Sequence, residues 1–325
     1  MKRRKFLELT GTTMAAGVLG ACMSRTSLRS ATDAASSPRT DVATFHAARR
    51  FAKTPFGRIA YVERGTGDAA LFLHGAPLNG FQWRGALDRL GRHRRCVAPD
   101  FMGLGYSEIP EHQSLAADAQ TAMLATLLDF LAIDKVDIVA SDSGGAVAQL
   151  FLARFPRRVR SVLLTNCDVE PDSPPPKVLP AIEMARAGTL ADATAMWLSD
   201  QTLARATFGA AVYRDPAGLT DENIEVYAAP LVSSALRRAQ YHQFHIALQP
   251  NPLAGIEAAL RRSLAPVRIV WGSADDIFAP ADADYLDRIF PHSQGIRRVP
   301  GAKLFFPEEF PDLIAEEALR LWRDS

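Results

Sequence analysis

The stretch Lys135–Gly145 restricts the possible folds more than any other part of the chain. Val136-Asp137-Ile138-Val139-Ala140 is a short, mostly apolar run of the length of a buried strand. Small residues follow at once, Ser141, Ser143, Gly144 and Gly145, with one acid, Asp142, among them. Helical spacing of apolar residues then sets in over Gly144–Phe155. A strand that becomes a helix this abruptly must turn sharply, and the side chain at the tip of the turn is pushed outward. The residues two before and two after the tip must then be small. Ala140 and Gly144 meet that requirement for Asp142, and Ser141 and Gly145 meet it for Ser143. A strand ending at Ala140, and paired glycines two and three places beyond Asp142, favour Asp142 as the exposed residue, with Ser143 as its rival. An Asp ahead of a helix also fits a simple N-cap.

From about residue 45 the pattern alternates strand-like and helix-like segments, which predicts an α/β chain. Arg58–Val62 alternates like a hairpin strand. Ala70–Leu73, Cys96–Asp100, Val136–Ala140, Val162–Leu164, Val267–Trp271 and Ile296–Val299 are short apolar runs. Leu115–Leu131, Gly144–Phe155 and Pro311–Trp322 have helical periodicity. The alternation stops between Ser173 and about Leu264, where Pro174-Pro175-Pro176 opens an Ala-rich, helix-patterned stretch. We read a mostly parallel, eight-stranded sheet within residues 44–325, with a helical cap, about 171–264, inserted after the sixth strand.

Three further loops carry chemistry. His74-Gly75-Ala76-Pro77 follows a strand, Ala98–Ser107 contains Asp100-Phe101-Met102-Gly103, and Trp271-Gly272-Ser273-Ala274-Asp275-Asp276 ends another strand. Taken with the turn at Asp142, they resemble the α/β-hydrolase superfamily, whose small-x-nucleophile-x-small turn is the nucleophile elbow. An Asp in place of Ser at the elbow resembles the haloalkane dehalogenase and epoxide hydrolase branch. The resemblance implies that Asp142 attacks an electrophilic carbon to form an ester, which water activated by a histidine then hydrolyses. It gives the oxyanion hole to the backbone N–H groups of Ala76 and Ser143, and the supporting acid to Asp275, with Asp276 and Asp168 as lesser candidates. His74 reads as a support for its loop.

The chain departs from the family pattern in three places. Its last strand runs into Pro300-Gly301-Ala302-Lys303-Leu304-Phe305, so Leu304 stands where the family has its histidine. Ala76 and Ser143 replace the residues that would hold a halide, which disfavours a haloalkane dehalogenase. Candidates for the missing base or for cap contacts are His242, His245 and Tyr241; Tyr213 and Tyr227 are further cap tyrosines. His292 lies on the wrong side of the sheet, and Lys303 would need a strongly lowered pKa. Three functional readings follow: a hydrolase of a small apolar ester, epoxide or related electrophile; a lyase or isomerase with Asp142 as general base; and a catalytically inactive ligand-binding lipoprotein.

A formal net charge of +1 and only paired arginines exclude a nucleic-acid footprint. No Cys/His spacing resembles a metal site, and no cofactor motif is present. Cys96 and Cys167 read as small buried hydrophobes. At the N-terminus, Arg3-Arg4-Lys5-Phe6-Leu7 resembles a twin-arginine export signal. Leu19-Gly20-Ala21-Cys22 resembles a lipobox. These imply a leader over 1–21, lipidation of Cys22, a flexible tether over 22–43, and a periplasmic location at the outer membrane, with the membrane as partner through that lipid.

Overall fold

A computed structural model describes residues 40–323 of the chain. The expected leader, Cys22 and all but the end of the tether lie outside the described residues. Asp41 caps a short helix, Val42–Ala47, through Thr44 N–H.

Eight strands form one sheet in the order β1-β2-β4-β3-β5-β6-β7-β8. They are β1 Arg49–Thr54, β2 Gly57–Arg64, β3 Ala69–Leu73, β4 Arg95–Pro99, β5 Val136–Asp142, β6 Val159–Cys167, β7 Val267–Gly272 and β8 Ser293–Val299. β2 is antiparallel to both neighbours and the remaining pairs are parallel. The strands β3, β5 and β7 are buried along their whole length, which is why they read as apolar runs without alternation. The central strand β5 includes, besides Asp142 at its end, the fully buried Asp137. Arg94 at 3.0 Å, Arg160 at 2.8 Å and the Ser161 hydroxyl at 2.7 Å compensate it.

Helices Ala117–Phe130, Ser143–Arg154 and Pro311–Arg323 match the predicted periodic segments to within a residue or two. The strand β1 escaped the sequence reading because Arg49-Arg50-Phe51-Ala52-Lys53-Thr54 fully buries only Ala52 at the sheet edge. β5 also runs two residues past Ala140, with Asp142 still paired to Cys167 of β6. Between β6 and β7 the chain is helical, and its longer helices are Leu179–Arg186, Leu190–Ser199, Asp221–Val232 and Ala235–Ile246. This insertion lies over the C-terminal ends of the parallel strands, where an open α/β sheet places its ligands.

Candidate active site

β5 enters the helix Ser143–Arg154 through Asp142, at φ 55° and ψ −138°. It is one of two non-glycine residues with positive φ among the described residues. Such a conformation is strained and persists only where the surroundings enforce it. Small residues allow the enforcement. A Cβ on Gly144 would lie 2.5 Å from the His74 carbonyl oxygen, and one on Gly145 would lie 2.3 Å from Cys167 Cβ. The Asp142 side chain makes no capping bond to the N–H groups beyond the first residue of the helix. Its Oδ2 accepts from the Ala76 N–H at 3.0 Å, and the Ser143 N–H also bonds the carboxylate. The two donors expected of an oxyanion hole therefore hold the acid itself. Gly75 makes room for it, since a Cβ there would fall 2.1 Å from Asp142 Oδ2.

The loop that presents Ala76 is braced from behind. His74 bonds the Gly75 carbonyl through Nδ1 at 2.9 Å, and its Nε2 accepts from the Phe101 N–H at 3.0 Å. Burial lowers its pKa and keeps it neutral. Asp100 accepts from the N–H groups of Gly80 and Tyr106, both at 2.8 Å. These contacts join the His74 and Ala98–Ser107 loops into one support.

Asp142 opens onto a cavity of about 260 Å³. Its floor includes Ala76, Pro77, Ser143, Asp168, Phe278 and Leu304. Its roof, from the helical insertion, includes Leu190, Trp197, Phe208, Tyr241, His245 and Leu248. The lining is mostly apolar, with a few polar groups converging on it, as in small-molecule sites. Ser143 Oγ is buried and has no hydrogen-bond partner among the described residues. Burial raises the Asp142 pKa well above the ordinary carboxylate range, and the negative charge of Asp168 adds to this more than that of Asp275 does; the two N–H donors act in the opposite direction.

Asp168 follows β6 directly. The Ser173 hydroxyl donates to its Oδ1 at 2.7 Å, and its backbone carbonyl accepts from Gln149 Nε2 at 2.7 Å. Burial pushes its pKa up to about 6. Asp275 is buried but is not among the cavity-lining residues. Asn166 Nδ2 at 2.7 Å and the Ile277 N–H at 3.0 Å engage its two oxygens, and burial raises its pKa to about 6. Asp276 is exposed and pairs with Lys177 at 3.1 Å.

The candidates for a base separate clearly. His242 is half-buried, away from the cavity lining, and its Nε2 accepts from the Ala191 N–H at 2.9 Å at the start of Leu190–Ser199. His245 is buried and lines the cavity. Its Nδ1 lies 3.1 Å from the Tyr241 carbonyl oxygen, a bond made by the neutral tautomer with the lone pair on Nε2. Burial lowers its pKa to about 4. The Tyr241 hydroxyl lies 3.2 Å from Thr194 Oγ1. Tyr213 and Tyr227 do not line the cavity; their hydroxyls donate to Glu308 Oε2 at 2.7 and 3.0 Å. Lys303 donates to the Ala210 carbonyl, and His292 is exposed at the start of β8.

Residues 69–310 match the family model described as alpha/beta hydrolase fold. The chain belongs to the α/β-hydrolase fold family. Haloalkane dehalogenase 2 of Mycobacterium tuberculosis is 28% identical over 275 residues, covering 80% of this chain and 89% of that protein. Epoxide hydrolase 1 of Caenorhabditis elegans is 33% identical over 120 residues, 36% of this chain and 30% of that one. Among solved structures, the epoxide hydrolase CorEH shares the fold with a TM-score of 0.71 at 23% identity, covering 85% of this chain and 98% of that one. An ancestral haloalkane dehalogenase gives a TM-score of 0.69. In this α/β hydrolase, the residue at the tip of the elbow is an acid, and Leu304 lies on the cavity wall.

Proposed function

We propose that this α/β hydrolase acts on a small, largely apolar electrophile (an ester, an epoxide or a related compound) with Asp142 as its nucleophile. One observation carries the reading: a strained elbow carboxylate, held at Oδ2 by the Ala76 backbone N–H, faces an apolar cavity. With an epoxide, the other carboxylate oxygen attacks a ring carbon and the C–O bond breaks. The opening oxygen takes up a proton, for which Tyr241 and the unpartnered Ser143 Oγ are the donors at hand. Water then adds to the carbonyl carbon of the Asp142 ester. The resulting oxyanion faces the Ala76 and Ser143 N–H groups, each worth about 2.7–4 kcal/mol in such sites. Collapse frees the diol and restores the carboxylate, with one oxygen of Asp142 now derived from water.

Purified protein offered panels of esters, epoxides and haloalkanes tests this. A single turnover in water enriched in the heavy oxygen isotope should label the Asp142 peptide, and Asp142→Asn should lose all activity. An Asp142→Asn variant equal to wild type on every active substrate would remove the role given to Asp142. A second reading rests on the raised pKa of Asp142, which suits a general base in a lyase or isomerase. It is distinguished by turnover that needs Asp142 but never labels it. Turnover of about 1 per second or faster rules out a binding protein without activity. We also propose, from the Arg3-Arg4 and Leu19–Cys22 motifs, that the chain is exported and anchored through lipid on Cys22. Cys22→Ala expressed in the host should move the protein from the membrane to the soluble periplasmic fraction.

A further inference from the structure

The proposed chemistry forms an ester that must be hydrolysed, yet Leu304 on the cavity wall can neither accept a proton nor orient water. Resting on that reading, we infer that Asp168 is the group that activates the water. Three observations of the site support it. Asp168 lines the same cavity as Asp142. It presses on Asp142 more strongly than any other carboxylate does. Its orientation is fixed by the Ser173 hydroxyl on Oδ1 and by Gln149 on its backbone carbonyl. The alternatives are engaged elsewhere: Asp275 by Asn166 and Ile277, Lys303 by the Ala210 carbonyl, and His242 by the Ala191 N–H. His245 remains as the rival on the roof.

The two carboxyl groups divide the work. Asp142 is alkylated first, which removes its negative charge and with it the repulsion between the pair. Asp168, ionised, then takes a proton from water as the water oxygen bonds to the ester carbonyl carbon. Collapse of the tetrahedral species breaks the bond from that carbon to the former Asp142 oxygen that carries the alkyl group. Asp168 returns the proton to the departing alkoxide, so the free alcohol leaves; the proton left on Asp142 passes to the donor that protonated the opening epoxide oxygen, or to solvent where a halide departed, and both carboxyl groups regain their starting forms. A carboxylate with its pKa near 6 is the stronger base of the two rivals, since burial holds His245 near 4.

The test uses styrene oxide and 1-bromohexane as probes on the full folded domain, with intact mass and peptide mapping as readouts. Asp168→Asn should form the Asp142 adduct within about threefold of the wild-type rate and hydrolyse it about 10²–10⁴-fold more slowly. The adduct should therefore accumulate, and hydroxylamine should release it. Ser173→Ala, which keeps the carboxylate but loosens it, should slow hydrolysis by a smaller factor and covers the case in which Asp168→Asn fails to fold. His245→Gln alters the cavity roof and with it substrate affinity, but it should not trap the Asp142 adduct. If Asp168→Asn clears its adduct at the wild-type rate, or if His245→Gln is the variant that traps it, the role of Asp168 is wrong while the role of Asp142 stands. If wild type gives neither adduct nor product with both probes, the reading of Asp142 as nucleophile falls and this inference falls with it.

Discussion

Gly75 is a position where a small change bears directly on the site. Its hydrogen points at the carboxylate on which the proposed chemistry depends. In Gly75→Ala the new methyl would lie 2.1 Å from Asp142 Oδ2, 2.3 Å from its Cβ and 2.5 Å from its Cγ. Ordinary carbon contacts begin near 3.5 Å, so one side must retreat by roughly 1 Å. The elbow cannot, because Gly144 and Gly145 already bring it against His74 and Cys167. The Asp142 side chain must therefore swing away from the Ala76 N–H. A misplacement of about 1 Å at a reacting group can cost about 10²-fold, and loss of one oxyanion donor costs about 10²–10³-fold. Adduct formation should accordingly slow by about 10²–10³-fold, and overpacking should lower folding stability by about 1–3 kcal/mol. Rapid-quench mass spectrometry of the adduct measures the first, and urea unfolding the second. Gly218→Ala is the control, since nothing lies within 4 Å of its added Cβ. A Gly75→Ala variant that forms the adduct as fast as wild type would refute the claim that the two N–H donors must hold Asp142.

Two further outcomes follow from buried charge. Asp142 has its pKa raised by burial, so between its unfolded and folded values the folded chain keeps a proton that the unfolded chain has released. Its contribution to stability is thus lost as pH rises through that window. Asn at this position does not titrate, so the stability advantage of Asp142→Asn should widen as pH rises from about 4, by up to about 1.4 kcal/mol per pH unit. Thermal melts giving the same gap at about pH 5 and about pH 8 would contradict the raised pKa. Glu308 joins the helical insertion to the sheet domain: it accepts from Arg84 at 2.6 Å and Asn223 at 3.0 Å on one oxygen, and from Tyr213 and Tyr227 on the other. Glu308→Gln sets an amide against these donors and strips Arg84 of its counter-charge. It should cost about 3–5 kcal/mol in urea unfolding, and a loss below about 1 kcal/mol would show that the network is dispensable.

The elbow was legible in the sequence because its requirements are local. A buried parallel strand must be apolar throughout, the turn must be flanked by small residues, and the helix must begin at once; Val136–Gly145 satisfies all three within a dozen positions. A triple proline and the loss of strand-like runs mark in the sequence where the sheet pattern stops, and the chain between β6 and β7 is helical. Where burial is one-sided or slight the signal fades, so β1, with only Ala52 fully buried, passed as irregular chain.

The remaining site residues depend on which distant segments meet, and no local pattern encodes that. His242 and His245 lie three residues apart on one helix, yet one caps Leu190–Ser199 and the other lines the cavity. Tyr213 and Tyr227 have the chemistry of epoxide-opening donors, but their hydroxyls end on Glu308, more than eighty residues away. The same holds for the proton acceptor. Leu304 was visible in the sequence as a departure from the family pattern, but that departure shows only which position cannot supply the base. Which acid can supply it follows from contacts across the fold: Asn166 and Ile277 occupy Asp275, while Ser173 orients Asp168 at the cavity wall. With leucine at 304, no imidazole stands there to relay charge between an acid and the nucleophile. On the reading proposed above, Asp168 then exchanges a proton directly with the attacking water while Asp142 is esterified, and its raised pKa suits it to that exchange.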